Sequence, residues 1–156
     1  MISVQQEDFD VGALVAGLTD GKTHVGGVAC FLGLVRDVAK DARVTAMTLE
    51  HYPGMTEKAI AAIVADAESR WPLDGVVVIH RFGRLLPGDR IVLVATASAH
   101  REAAFESAHF LMDWLKTKAP FWKREETPDG DRWVDAKADD DAAADRWSRP
   151  GPRAAE

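Results

Sequence analysis

Residues 115–126 read LKTKAPFWKREE, and they crowd four cations, Lys116, Lys118, Lys123 and Arg124, around Pro120, Phe121 and Trp122. Lysines held close together and partly buried lower one another's pKa from about 10.4, because each disfavours the charged form of the other. A lysine tuned in this way serves as acid, base or nucleophile near neutral pH. Pro120 bears on the geometry. Its ring clashes with the carbonyl of Lys116, and it pushes Ala119 out of the helical region, so a helix entering this stretch stops here. In an unbroken helix Lys116 and Lys123 would share one face about 10 Å apart. A break lets the chain turn and bring both ammonium groups to one pocket. The simpler alternative is that cations at a helix C-terminus complement its dipole. Spacing alone leaves both open.

Other cations cluster elsewhere. SAHRE (98–102) sets His100 and Arg101 at the start of the same helix. That is the unfavourable end for positive charge, so an anion held jointly by free backbone N–H groups and the guanidinium would account for them. A surface arginine beside Glu102 is the plainer option. Arg36, in LVRD, leaves an apolar strand and enters the polar loop RDVAKDAR, where a rigid strand end commonly presents functional side chains; an ion pair with Asp37 would explain it equally well. In IHRFGRL (79–85), His80, Arg81 and Arg84 sit on an alternating strand and read as surface or structural groups. Cys30 lies in an apolar run and reads as a small core side chain. No GxxxxGK[ST], GxSxG or HExxH motif and no cysteine pair for zinc is present. The remaining class is chemistry on an anionic substrate by Lys, Arg and His.

These groups need elements to hold them. Residues 2–5 predict a strand, and 8–18 a helix capped by Asp8 or Asp10. Residues 23–35 predict a buried strand, and 43–52 a strand of mixed faces stopped by Pro53 and Gly54. Thr56 is the expected cap of a helix with Ala59, Ile60, Ile63, Val64, Ala67 and Trp71 at helical spacing. Residues 75–83 and 90–98 predict a hairpin-like strand pair around the Leu86-Pro87-Gly88-Asp89 turn. A helix over 99–118 follows, with an apolar stripe of Phe105, Ala108, Met112 and Leu115, then a turn at 128–130 and a short strand at 132–134. Residues 136–156 are rich in Ala, Asp and Pro and predict a low-complexity, flexible tail with a helical turn or two. The alternation of strands and helices with hairpin-like connections indicates an α+β domain over 1–135.

The totals agree with one domain: 156 residues, 47% of them hydrophobic, with five tryptophans. A single cysteine suits a reducing, cytoplasmic setting. The N-terminal residues carry no signal-peptide pattern, and no apolar run is long enough to span a bilayer. A formal charge of −6 argues against general nucleic-acid binding, for which no motif is present either.

Five blocks, FLGLVRD (31–37), LEHYPGM (49–55), IHRFGRLLPGD (79–89), SAHREAAF (98–105) and DWLKTKAPFWKRE (113–125), occur in that order. Together they resemble the large, catalytic subunit of molybdopterin synthase. The resemblance spans residues 1–135 and implies an α/β hammerhead fold of mostly antiparallel sheet. It implies a homodimer within a heterotetramer, with a small ubiquitin-like sulfur-carrier subunit at each end. The carrier's C-terminal Gly-Gly thiocarboxylate would pass sulfur to cyclic pyranopterin monophosphate, building the dithiolene of molybdopterin with no metal and no cofactor. Lys116 and Lys123 match the family's catalytic lysines. Arg36, His100 and Arg101 match its substrate- and tail-binding positions, and Phe31 and Met112 match pocket-lining ones. Lys118 and Arg124 receive no catalytic role. The alternative is a non-catalytic domain of the same fold that binds an anion or the carrier.

Overall fold

Two apolar runs rich in β-branched residues form the middle of the molecule. In the computed structural model, which describes residues 1–40, 42–135 and 138–148, these are β6 (Gly75–Arg81) and β8 (Arg90–Ser98), paired antiparallel from Gly75↔Ala97 to His80↔Val92. β1 (Ile2–Gln5) joins β6 in parallel, and β2 (Gly27–Leu34) joins β8 antiparallel, giving the order β1-β6-β8-β2. Successive side chains on a strand point to opposite faces, so this sheet feeds two cores. Val77, Ile79, Leu93 and Ala95 pack under α1 (Val11–Thr19) with Phe9 and Leu18. Val76, Val78, Val92 and Val94 pack on the other side with Ile60 and Val64 of α2 (Met55–Arg70) and Phe110 and Leu111 of α3 (Arg101–Thr117).

A second sheet, of order β10-β9-β5-β7, is wholly antiparallel and is built from β5 (Ala46–His51), β7 (Gly83–Leu85), β9 (Phe121–Thr127) and β10 (Gly130–Val134). The short β3 (Val38–Ala39) and β4 (Ala42–Arg43) pair with each other. The α+β architecture with mostly antiparallel sheet is as expected. Asp10 is the cap of α1, its Oδ1 accepting from the Ala13 N–H at 3.0 Å.

Several local expectations need correction. The strand expected over 23–35 is neither that long nor buried. β2 has a neighbour, β8, on one side only, and Phe31, Leu32 and Leu34 are 45%, 37% and 49% exposed. Cys30 is exposed too, not a core group. Of the expected stripe of α3, Ala108 and Leu115 are buried and Met112 is half-buried, but Phe105 is 67% exposed, and Ala104 and Leu111 take inward positions instead. The cap of α2 is Gly54 (φ 82), whose N–H is accepted by Glu57 Oε2 at 2.7 Å. Thr56 lies inside that helix, buried, and its hydroxyl donates to the Tyr52 carbonyl at 3.0 Å. β9 was not expected at all. Its FWKREET sequence hides strand alternation under charge, with Glu125 buried and bonded to Arg132 of β10 at 2.8 Å.

Within the segment expected to be a flexible tail, residues 138–148 form α4 (Ala138–Asp145) and a 3-10 turn (Arg146–Ser148) that pack on α3; residues 136, 137 and 149–156 lie outside the described ones. Trp147 is what docks this segment. Its ring meets Trp71 at 5.7 Å and Phe110 at 5.5 Å edge-on, and its Nε1–H donates to Asp113 Oδ2 at 2.7 Å. Arg146 also donates to Asp113, a buried carboxylate that needs such partners. Trp147→Ala is expected to cost about 3 kcal/mol of stability, read as a lower urea midpoint. Trp122→Ala, at a side chain 49% exposed, is the control and should barely move it.

Candidate active site

Lys116 occupies the last turn of α3. The helix closes through the Lys118 N–H donating to the Trp114 carbonyl at 2.7 Å and the Thr117 hydroxyl donating to the Asp113 carbonyl at 3.0 Å. Pro120 then ends it, and β9 starts at Phe121. Strand alternation puts Phe121, Lys123 and Glu125 on one face and Trp122, Arg124 and Glu126 on the other. Lys123 stands opposite the buried Leu49 of β5. A helix-to-strand turn, not a helix resuming after a kink, carries both lysines to the same end of the central sheet. Lys116 keeps a side chain 57% exposed, its Nζ 3.7 Å from Asp140 Oδ1 of α4. The other two cations of the segment are engaged elsewhere: Lys118 Nζ lies 5.4 Å over the Trp114 ring, and Arg124 pairs with Asp131 at 2.9 Å.

Arg36 is exposed just beyond β2, held by its neighbours. The Val35 N–H donates to the Asp89 carbonyl at 2.9 Å, and the Gly88 N–H returns to the Val35 carbonyl at 2.8 Å. Gly88 has φ 90, a conformation that favours glycine, and Asp89 Oδ2 accepts the Leu86 N–H at 2.8 Å, so the turn is preformed. Arg132 ties the following loop down by donating to the Ala39 carbonyl at 3.2 Å. Arg36, Asp37, Lys40 and Gly88 line an open concavity of about 680 Å³. Among the described residues Arg36 makes no ion pair, with Asp37 or otherwise.

His100 and Arg101 open α3, both exposed. His100 is the cap residue in extended conformation (φ −125), with no side-chain cap bond, so the first-turn N–H groups are left to a ligand or water. Their distance from the lysines is decisive. From Arg101 to Lys116 the helix rises about 22 Å. Likewise β2 separates its first residue, paired with Ser98 beside His100, from the Arg36 end by about 25 Å. One chain therefore gathers Arg36, Lys116 and Lys123 at one end and leaves His100 and Arg101 at the other. Phe31 lies between them, opposite Val94 on the α3 side of β2. Met112, half-buried against the core, precedes Lys116 by one helical turn on the same face.

Behind Lys123 the chain assembles a group that residue types alone did not single out. His80, expected to be a surface or structural residue, is stacked on Phe121 at 3.8 Å and 19°. His51, opposite Phe121 in register, tilts against Phe121 at 6.2 Å and Phe82 at 4.4 Å. Burial holds the His80 imidazole down to about 4; the Arg81 carbonyl bonded to it opposes this, while His51 and Lys123 push the same way as burial. A signal did exist: His51 continues the inward phase of Met47 and Leu49, which marks it as an interior side chain. Arg81 is structural, donating to the Gln6 and Arg90 carbonyls at 2.9 and 3.0 Å, and Arg84 is a surface residue paired with Glu126 at 3.0 Å. Partial desolvation raises the pKa of the Cys30 thiol, exposed though the residue is, which is the wrong direction for an activated nucleophile. No helix of the described residues is long and apolar enough to cross a membrane.

A family model described as "MoaE protein" matches residues 4–118. The molybdopterin synthase catalytic subunit of Mesorhizobium japonicum is 54% identical over 148 residues, covering 94% of this chain and 92% of that relative. The solved structure of a molybdopterin biosynthesis MoaE protein from Burkholderia ambifaria superposes with a TM-score of 0.80 at 56% identity, over 96% of this chain and 98% of that one. The fold alone is shared with a chain from a protein-protein complex of subunits 1 and 2 of the molybdopterin-converting factor of Helicobacter pylori. There the TM-score is 0.66 at 20% identity, over 88% of this chain and 90% of that one. With a family model covering most of the chain, and relatives alike over nearly their whole length, this protein belongs to the MoaE family.

Proposed function

We propose that the chain is the catalytic subunit of a molybdopterin synthase, which transfers sulfur from the thiocarboxylated C-terminus of a small carrier subunit to cyclic pyranopterin monophosphate. What supports this reading most is that strand pairing and helix direction set Lys116, Lys123 and Arg36 toward one end of the sheet, in a chain so close to named catalytic subunits. Both reactants are anions, a phosphate ester and a thiocarboxylate, and both need a cationic pocket. Lys116, exposed at a helix end, acts as the acid/base or as the nucleophile toward the carrier's acyl carbon. Lys123, on a rigid strand, orients the pterin and neutralises charge that develops on it. Sulfur arrives on the partner, so the enzyme needs no reactive cysteine of its own.

The working unit in this reading is a homodimer formed along β2. That strand has one free edge and exposes Phe31, Leu32 and Leu34, an apolar margin that invites pairing with a second copy. A two-fold axis that pairs β2 antiparallel with its counterpart exchanges the strand's ends. It sets the partner's first-turn cations of α3 beside this chain's Arg36, and so reunites His100 and Arg101 with the lysines across the interface. Arg36, His100 and Arg101 then clamp phosphate and carrier tail, with Phe31 and Met112 lining the pocket. The test is reconstitution. Mixed with a thiocarboxylated carrier and the cyclic precursor, the protein should yield dithiolene product, and carrier ending in a plain carboxylate should give none. Binding of both reactants without product would support the non-catalytic alternative.

A further inference from the structure

We infer that His80 is a positioning residue for Lys123: a neutral imidazole fixed behind the lysine, whose Nε2 accepts from the ammonium and sets where it points. The inference rests on the reading that Lys123 acts in the reaction. Three observations lead to it. His80 Nδ1 lies 2.9 Å from the Arg81 carbonyl oxygen, which can only accept. The proton is therefore on Nδ1, and Nε2 keeps its lone pair. The ring cannot swing, because it stacks at 3.8 Å on Phe121, which shares the inward face of β9 with Lys123 two residues on. Lastly, β9 sets Phe121 opposite His51 and Lys123 opposite Leu49, so Lys123 projects from the same face as the ring that His80 stacks on.

The titratable groups acting on His80 are Lys123 from β9 and His51 from β5; Arg81, on its own strand, directs its guanidinium to the Gln6 and Arg90 carbonyls. No carboxylate acts on it from these elements to favour an imidazolium, so His80 stays an acceptor over the working range. Packing alone is a poor account of this arrangement. A phenylalanine would stack on Phe121 as well without burying ring nitrogens, which cost free energy when desolvated. His51 adds to that cost, since its Nδ1 is buried with no hydrogen-bond partner among the described residues. A buried imidazole stacked on the ring two residues before the lysine is better explained by what a neutral acceptor does for an ammonium. It fixes direction without adding a negative charge that would drive off anionic substrates.

The test compares His80→Phe, His80→Gln and Lys123→Ala in the complete complex with carrier. His80→Phe keeps the stacking but removes the acceptor. It should lower kcat about 10-fold with less change in KM, and move the lysine-dependent limb of the pH profile down by about one unit, since losing a neutral acceptor disfavours the ammonium. His80→Gln restores an acceptor near the Nε2 position and should recover most of both. Wild-type turnover in Lys123→Ala would remove the reading on which the inference rests. An inactive Lys123→Ala beside an unshifted His80→Phe profile would overturn the role of His80 and leave that of Lys123 standing. Should His80→Phe not fold, the His80 side-chain ¹⁵N resonances decide. Nε2 should shift between wild type and Lys123→Met, and an unmoved Nε2 refutes the inference.

Discussion

Lys116→Ala is expected to abolish dithiolene formation, with turnover lower by about two to four orders of magnitude, while the protein remains folded. The second half of that statement is what makes the first informative. Lys116 is 57% exposed, and its pair with Asp140 at 3.7 Å is a surface contact worth a few tenths of a kcal/mol. Loss of the favourable helix-end charge adds about 0.5 kcal/mol, so the melting temperature should fall by only a few degrees. Lys118→Ala and Arg124→Ala remove cations of the same segment that face Trp114 and Asp131; both should keep near wild-type turnover. A general loss of positive charge would hurt all three alike, whereas a catalytic amine singles out Lys116. Unchanged turnover in Lys116→Ala would sink its assignment.

The other large effect is a gain of activity. Arg101→Ala and Lys116→Ala should each be nearly inactive as pure proteins, yet a mixture allowed to exchange subunits should recover activity. If Arg101 serves the partner's pocket, each mixed dimer holds one pocket with both residues intact. Equal mixing then restores about a quarter of wild-type sites. If instead both residues served the same chain's pocket, no combination would contain an intact site, and the mixture would stay dead. The expectation follows from distance: about 22 Å of helix separates the two residues, far beyond the reach of a shared small ligand. Leu34→Arg, at a side chain 49% exposed on the free edge, should yield monomers by sedimentation and lose the activity with the interface.

Much of the molecule was legible where local chemistry decides. Asp10 as a cap, the stop at Pro120, the turn at 128–130 and the strand pair around Leu86-Pro87-Gly88-Asp89 all depend on backbone preferences that a few neighbouring residues set. The candidate lysines stand out in the sequence too, though spacing leaves them open to a dipole explanation, and the roles proposed for them come from the resemblance of the ordered blocks. What could not be read is which of two possible faces becomes covered. Periodicity says that Phe105 or Ala104 lies inward, or that β2 has an apolar face, but not which neighbour arrives.

By itself, then, the amino-acid sequence determined most of the longer elements, the ends set by local caps and breaks, the clustering of cations and the family. Tertiary structure alone decided that β2 is an open apolar edge, and that charged FWKREET is a strand because β5 and β10 satisfy its backbone on both sides. It alone parted His100 and Arg101 from the lysines, buried His80 and docked Trp147 on α3. The physical reason is the same in each case. Caps, turns and breaks are energies of neighbours along the chain, whereas burial, edge exposure and the meeting of distant side chains are set by contacts between residues far apart in sequence.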